Sequence, residues 1–455
     1  MTTYRRHQTW SSRLTFLLAA VGGAIGLGNI WKFPYITGEN GGSAFVLVYL
    51  LCILFVAIPL LIAEIMLGRR GKQSPPHAVA IIAGNEGRAR GWSIVGWLGV
   101  LSGYLILSYY SVIAGWAMAY IFKAGDGNFE GQSAGAISAQ FDALLADPAT
   151  LIAWHAAFMT LTVVILIRGL RKGIERTVQI LMPLLFVLLL VLVGYAAIEG
   201  DMIGGLHFMF DFDVSGINGR VVLMAIGHAF FSIGVAMGLM MGFGAYLGRD
   251  ISIARSALVI AGMDTLVALV AGIAIFPIVF ANSLDPAEGP GLIFVTLPIA
   301  FGNMTGGLVF GTLFFVLLFF AALTSSIAIF EPVVAWVEER RQISRANAVI
   351  TVCGSAFVLG LGSVFSFNVW SEWHPLAFIT RFADTGFFEL IDYLTANLMM
   401  PLGGLLLAVF VGWRVSPESV AEELNMQSPL VLKALRWLLR WLVPVSIAGI
   451  FVFNL

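Results

Sequence analysis

The chain has 455 residues, of which 59% are hydrophobic and only 11% charged, with a mean hydropathy of +0.93. Ordinary soluble proteins carry about 25% charged residues, so this composition excludes a string of water-facing domains. The net charge of −1 excludes the basic excess of a nucleic-acid binder, and two cysteines, Cys52 and Cys353, exclude a disulfide framework or a CxxC metal pair.

A bilayer is crossed by about 20 apolar residues in a helix, and such runs recur along the chain. The first, 14–37, follows Arg5 and Arg6. No small-residue cleavage site ends a short apolar core there, so it is read as a retained span and not a signal peptide. Next come 44–63, 91–122, 151–167, 177–198, 221–248 and 265–284. The run 291–330 is too long for one helix. Pro298 and Gly302 divide it, which predicts a re-entrant loop at 290–303 before the eighth span. Runs at 346–371, 393–413 and 437–453 bring the expected total to eleven. The longest segments between spans, 123–149 and 366–389, are loop-sized and read as loops.

Basic residues set the orientation. With the N-terminus cytoplasmic, every one of the 25 Lys and Arg except Lys32, Lys123, Arg220 and Arg381 falls inside. The expectation is a multi-pass protein of the plasma (inner) membrane, N-terminus cytoplasmic and C-terminus outside.

Two spans carry weak points. Between Val21 and Asn29 there are four glycines in seven positions, at 22, 23, 26 and 28, each costing about 1 kcal/mol against Ala in a helix. The sixth span holds Phe231-Ser232-Ile233-Gly234-Val235-Ala236-Met237-Gly238. Small residues at either place alone would serve tight helix packing equally well. Interrupted helices at corresponding places in two halves point to an inverted-repeat transporter, spans one to five against six to ten. A break frees carbonyls for a cation and helix N-termini for a carboxylate.

The run from Gly22 to Pro34, continuing through Tyr35-Ile36-Thr37-Gly38-Glu39-Asn40-Gly41-Gly42, resembles the first helix of the neurotransmitter:sodium symporter family. Ala321-Ala322-Leu323-Thr324-Ser325-Ser326 is similar to that family's eighth helix, and Gly173 with Pro183 to the Gly-x9-Pro pattern of its fifth. The resemblance covers Arg5 to about Phe453. It implies an all-α membrane protein with the leucine-transporter fold, in the eleven-span form of some bacterial members. Helices 1 and 6 are unwound, the repeats cover about 10–198 and 218–414, and an extra helix covers about 433–453. It also implies that the inner end of span five opens at Gly173.

By the same resemblance, two sodium ions bind. Sodium 2 takes carbonyls of Gly22, Ile25 and Ala321 with the hydroxyls of Thr324 and Ser325. Sodium 1 takes the Ala24 carbonyl, Asn29, Ser232 and Asp264, where many relatives have Asn. A carboxylate at mid-membrane is costly unless neutralised. A sodium ion about 4 Å away offsets roughly 4 kcal/mol at an effective dielectric of 20. Asp264 therefore stands in for the anion of chloride-dependent relatives; transport without chloride is expected, and with it proton uptake on sodium release.

The resemblance further implies that the substrate's carboxylate meets sodium 1, the amides of Leu27 and Gly28, and the Tyr110 hydroxyl, and that Gly23, Ile106, Phe231, Gly234, Met237, Ser325, Ser326 and Ile329 line the side-chain pocket, with Ala24, Gly26 and Ser232 completing the set. Monoamine carriers hold an Asp where Gly26 stands here. The wall is apolar apart from two hydroxyls, and Gly23 and Gly234 replace larger side chains, so a roomy pocket for hydrophobic or aromatic L-amino acids is expected. The alternative substrate is a GABA-like, taurine-like or betaine-like osmolyte.

The resemblance also pairs Lys32 and Asp392 as the outer gate, makes Tyr110 and Phe231 a lid over the substrate, and has Arg5 or Arg6, Trp10, Tyr246 and Glu339 close the inner path. Glu64 is expected to tie down the broken first helix and Glu331 to serve the inner path, while His228 reads as a satisfied core histidine, with pH sensitivity as the alternative. An enzyme is not expected: the six histidines include no HExxH, and GxSxG and GxxxxGK[ST] are absent. No spans supply the continuous polar pore of a channel. The expected partners are a small amino acid and the lipid bilayer, with no nucleic acid and no obligate protein partner.

Overall fold

In lipid every backbone N–H and C=O must be satisfied within its own segment, which makes helices of the apolar runs. The computed structural model describes residues 9–287, 291–426 and 428–454, and among these there is no strand. The first segment is a bent pair, α1 (Arg13–Ala24) and α2 (Gly28–Glu39), meeting at 48°. Then come α3 (Ser43–Gly71), the short α4 (Pro75–Asn85), α5 (Arg90–Gly125), α6 (Ala134–Ala146), α7 (Pro148–Ile167) and α8 (Leu170–Glu199). A short α9 (Met202–Phe210) leads to α10 (Gly219–Ile233) and α11 (Leu239–Ala245), which together occupy the predicted sixth span. The chain continues through α12 (Ile253–Ala281), α13 (Leu292–Asn303), α14 (Gly307–Arg341), α15 (Arg345–Ser366), α16 (Phe387–Arg414), α17 (Pro417–Leu424) and α18 (Pro429–Val452).

Among the described residues nine helices are long and apolar enough to cross a membrane, and the α1–α2 pair makes a tenth. Neither α10 nor α11 is long enough alone. Three boundaries differ from the sequence reading. The seventh span begins at Ile253, not 265, because charge-free runs are bounded by Asp264, which is buried in mid-helix. Within 123–149, read as a loop, α6 forms behind its cap Ser133, whose Oγ accepts from the Ala136 amide at 3.2 Å. The segment read as re-entrant carries the one short helix α13, with residue 290 outside the described residues.

At the centre α14 runs along α5 and packs on α1 and α8. α3 and α11 approach so closely at Gly68 that a Cβ there would lie 1.9 Å from the Met241 carbonyl oxygen. A methyl group has no room unless one helix backbone shifts. Gly68→Ala is therefore expected to cost about 1–3 kcal/mol, read as a lowered melting temperature in detergent. An unchanged melting temperature would contradict this packing.

Candidate functional site

α1 ends where its glycines cluster. Ile25, the C-cap, is extended at φ −69°, ψ 105°, and the chain resumes at Gly28 in a widened π-type turn. The amides at this break find side-chain partners: Gly26 N–H donates to Asn29 Oδ1 at 3.2 Å and Leu27 N–H to the Tyr110 hydroxyl at 3.3 Å. A Cβ at Gly26 would lie 2.5 Å from Ser325 Oγ and 2.9 Å from the Tyr110 hydroxyl, so position 26 has no room for a side chain here.

The second break separates α10 from α11. Gly234, Ala236 and Gly238 all have positive φ, 69°, 66° and 72°. For Ala236 this is the strained left-handed region. Its amide donates to Glu64 Oε1 at 2.9 Å. Glu64 thus secures the second break and not, as the sequence suggests, the first.

Between the breaks lies a buried polar cluster. Asn29 Nδ2 donates to Asp264 Oδ1 at 2.8 Å and to Ser232 Oγ at 3.2 Å, and Ser232 Oγ donates to Asp264 Oδ2 at 2.7 Å. Tyr49, absent from the sequence-based set, brings its hydroxyl to 3.1 Å from Ser232 Oγ. It is the only hydroxyl in the apolar run 44–63, which is the signal that it has a polar partner. His228 packs against Phe33, Phe45 and Tyr49, and neither ring nitrogen has a protein partner. It is a core histidine, but not one satisfied by the chain.

A second group of oxygens gathers where α1 meets α14. Ser325 Oγ lies 3.4 Å from the Gly22 carbonyl and 3.0 Å from that of Ile25, and Thr324 Oγ1 lies 3.1 Å from that of Ala321. All donors are uncharged oxygens, the chemistry a hard monovalent cation prefers. Ser326, about 100° further round the helix, faces away and meets Thr162 Oγ1 at 3.4 Å.

Around these groups is a small cavity of about 20 Å³, walled by Gly23, Ala24, Gly26, Leu27, Gly28, Ile106, Tyr110, Phe231, Gly234, Met237, Ser325 and Ile329. Each belongs to the expected substrate set; Ser232 and Ser326 of that set lie outside the wall. Leu27, Tyr110 and Phe231 also line a larger neighbouring cavity of about 250 Å³ that contains Lys32, Tyr109 and Asp392. No ion pair joins Lys32 to Asp392 among the described residues. Lys32 Nζ sits 4.3 Å over the Phe231 ring, and Asp392 Oδ1 accepts from the Tyr109 hydroxyl at 2.9 Å.

On the other side of the pocket, around Trp10 and Tyr246, the described residues are tied together. Trp10 Nε1 donates to the Phe243 carbonyl at 3.0 Å and its ring packs on Phe16, Phe243 and Tyr246. The Tyr246 hydroxyl donates to Glu331 Oε1 at 3.0 Å, and Arg345 holds Glu331 at 2.5 Å and Glu338 at 3.3 Å. Glu339 is not in this group. It meets His77 Nδ1 at 2.8 Å and accepts from the Ser74 amide at 2.9 Å. Helix geometry gives the reason: Glu331 and Glu338, seven apart, share a face of α14, while Glu339 is turned about 100° toward α4. Below Gly173, which lies in a widened turn, Glu175 accepts from the amide and hydroxyl of Ser11, both at 2.8 Å. Arg5 and Arg6 lie outside the described residues.

A profile of the sodium:neurotransmitter symporter family matches residues 7–134 and 140–455. The chain is 36% identical over 446 residues to the uncharacterized sodium-dependent transporter YhdH of Bacillus subtilis, covering 97% of this chain and 96% of that one. An uncharacterized sodium-dependent transporter of Haemophilus influenzae is 31% identical, over 100% of this chain and 99% of that one. Among solved structures, the crystal structure of MhsT in complex with L-phenylalanine superposes with a TM-score of 0.90, at 38% identity over 98% of this chain and 100% of that one.

Proposed function

The chain belongs to the sodium:neurotransmitter symporter family, and on that premise we propose that it imports hydrophobic or aromatic L-amino acids with two sodium ions by alternating access. One observation carries the reading. Both interrupted helices wall one pocket that is apolar apart from the Tyr110 and Ser325 hydroxyls, with the Asp264 cluster joined to it through Asn29, next to Gly28 of the wall, and the Thr324–Ser325 oxygens joined to it through Ser325.

In this reading α10 and α11 cross together, which makes eleven spans in two inverted repeats, with the N-terminus inside and the C-terminus outside. Sodium 1 is cargo held by the Ala24 carbonyl, Asn29, Ser232 and Asp264. Its arrival replaces the hydrogen bonds that Asp264 now accepts from Asn29 and Ser232. Sodium 2 sits among Gly22, Ile25, Ala321, Thr324 and Ser325, pinning α1 to α14. The substrate's carboxylate faces sodium 1, the amides of Leu27 and Gly28, and Tyr110. The present cavity holds about one water, so substrate entry requires the lid of Tyr110 and Phe231 to part, and its return closes the pocket. Each sodium charge entering down a potential of about 100 mV contributes about 2.3 kcal/mol, enough in pairs for steep accumulation. The L-phenylalanine held by MhsT in its crystal structure supports the substrate class. Asp264 supports independence from chloride, since it brings the negative charge itself. Sodium loss frees that carboxylate for a proton, and proton counter-transport follows.

Uptake of labelled phenylalanine into proteoliposomes, competed by the twenty amino acids with GABA, taurine and betaine, tests the reading. Apolar amino acids are expected to compete, sodium to be required, and gluconate to replace chloride without loss. Competition by GABA, taurine or betaine alone would transfer the function to the osmolyte alternative. Collapse of uptake in gluconate would remove the role given to Asp264.

A further inference from the structure

Gly23 and Gly234 both line the pocket, one beside each helix break, and their missing side chains predict extra room. The room is taken. Leu239, the first residue of α11 and fully buried, sends its Cδ2 to 3.1 Å from where a Gly23 Cβ would be and 3.3 Å from where a Gly234 Cβ would be. Ala328, one turn along α14 from Ser325, closes the same corner, its Cβ 2.8 Å from the Gly23 Cβ position. Leu239 is not itself in the pocket wall. It stands directly behind two glycines, and a glycine puts only backbone between the cavity and whatever lies behind it.

We infer that Leu239 is the specificity-determining floor of the substrate pocket, fixing through Gly23 and Gly234 how deep an apolar side chain can reach. The break places it there. Gly238 caps α11 in the left-handed conformation, so the helix restarts with its first side chain turned back toward Gly234. A leucine in this corner disfavours the bulkiest side chain, an indole, relative to a small aliphatic one. The inference rests on the amino-acid reading above and refines its substrate class.

Shortening Leu239 joins the space behind the glycines to the pocket. One methylene at an apolar wall changes discrimination by roughly 10- to 200-fold. In Leu239→Ala the ratio of tryptophan to valine affinity, measured by competition against labelled phenylalanine in sodium, is expected to rise about tenfold or more. Leu239→Val, which removes a single methylene and is gentler on the fold, is expected to move the ratio the same way by less. Leu439→Ala, a buried leucine in the last span, reports what general loosening does, and its ratio is expected to match wild type. A role in core packing alone would lower all affinities together and leave the ratio in place.

The outcomes separate. Wild-type protein that takes up no apolar amino acid in sodium overturns the functional reading and this inference with it. Wild-type uptake combined with an unmoved tryptophan-to-valine ratio in Leu239→Val, or in Leu239→Ala where that variant folds, overturns the inference alone. An equal rise in Leu439→Ala also overturns it.

Discussion

Asp264→Asn is expected to raise the sodium concentration that half-saturates substrate binding by on the order of 100-fold. The substitution is nearly isosteric. Asn can still accept from Asn29 Nδ2, and the Ser232 hydroxyl can turn to accept from the new amide, so the cluster keeps its shape and loses only its charge. A carboxylate about 4 Å from a cation contributes roughly 4 kcal/mol at an effective dielectric of 20, close to three decades of affinity at about 1.4 kcal/mol each. Relief from holding an unpaired charge in the membrane offsets part of this, which brings the net effect to about two decades. Sodium titration of phenylalanine binding at constant ionic strength, with choline as the replacing cation, measures it. Half-saturation at the wild-type concentration would mean that Asp264 does not hold the ion.

The second large effect is expected at Arg345. Glu331 is 1% exposed, and its two oxygens are held by Arg345 at 3.1 and 2.5 Å, with the Tyr246 hydroxyl on the first. Removing one member of a buried pair leaves the other charge uncompensated, at about 3–5 kcal/mol. Arg345→Ala is expected to lose stability on that scale, read by thermal melting in detergent. The double variant Glu331→Gln with Arg345→Ala removes both charges and is expected to recover much of the loss. Equal melting of the single and double variants would show that the ion pair is not what closes this end. The same pair joins α14 to the start of α15 and, through Tyr246, to the end of α11, so its loss also loosens the packing among these three helices.

Much of the scaffold is legible in the sequence because lipid permits so little. Long apolar runs have to be helices, and small-residue clusters at 22–28 and 234–238, ambiguous singly, point to interrupted helices because they recur at corresponding places in the two halves. Part of the cavity wall is legible because 23–28 and Ser325 sit in runs that resemble the family's first and eighth helices. What stays hidden depends on helical phase and on partners distant in sequence. Glu331, Glu338 and Glu339 look alike in a row of letters. Only their angular positions decide that the first two meet Arg345 and the third meets His77 and Ser74. Ser326 reads as a pocket residue beside its neighbour Ser325, yet one step along a helix turns it to Thr162. Glu64 reads as a partner of the break nearer in sequence, whereas the amide it receives belongs to Ala236. Asp264 gives a false helix end when a charge is taken as a boundary. Leu239 gives no signal, since one leucine among many is read as core until the two glycines beside it are seen in space.

Equilibrium binding of labelled phenylalanine to the purified protein, in sodium and again in potassium at the same ionic strength, bears most directly on the claim that the broken helices hold cation and amino acid as one unit. Saturable binding in sodium that disappears in potassium is the predicted result. Equal binding in both salts would contradict it.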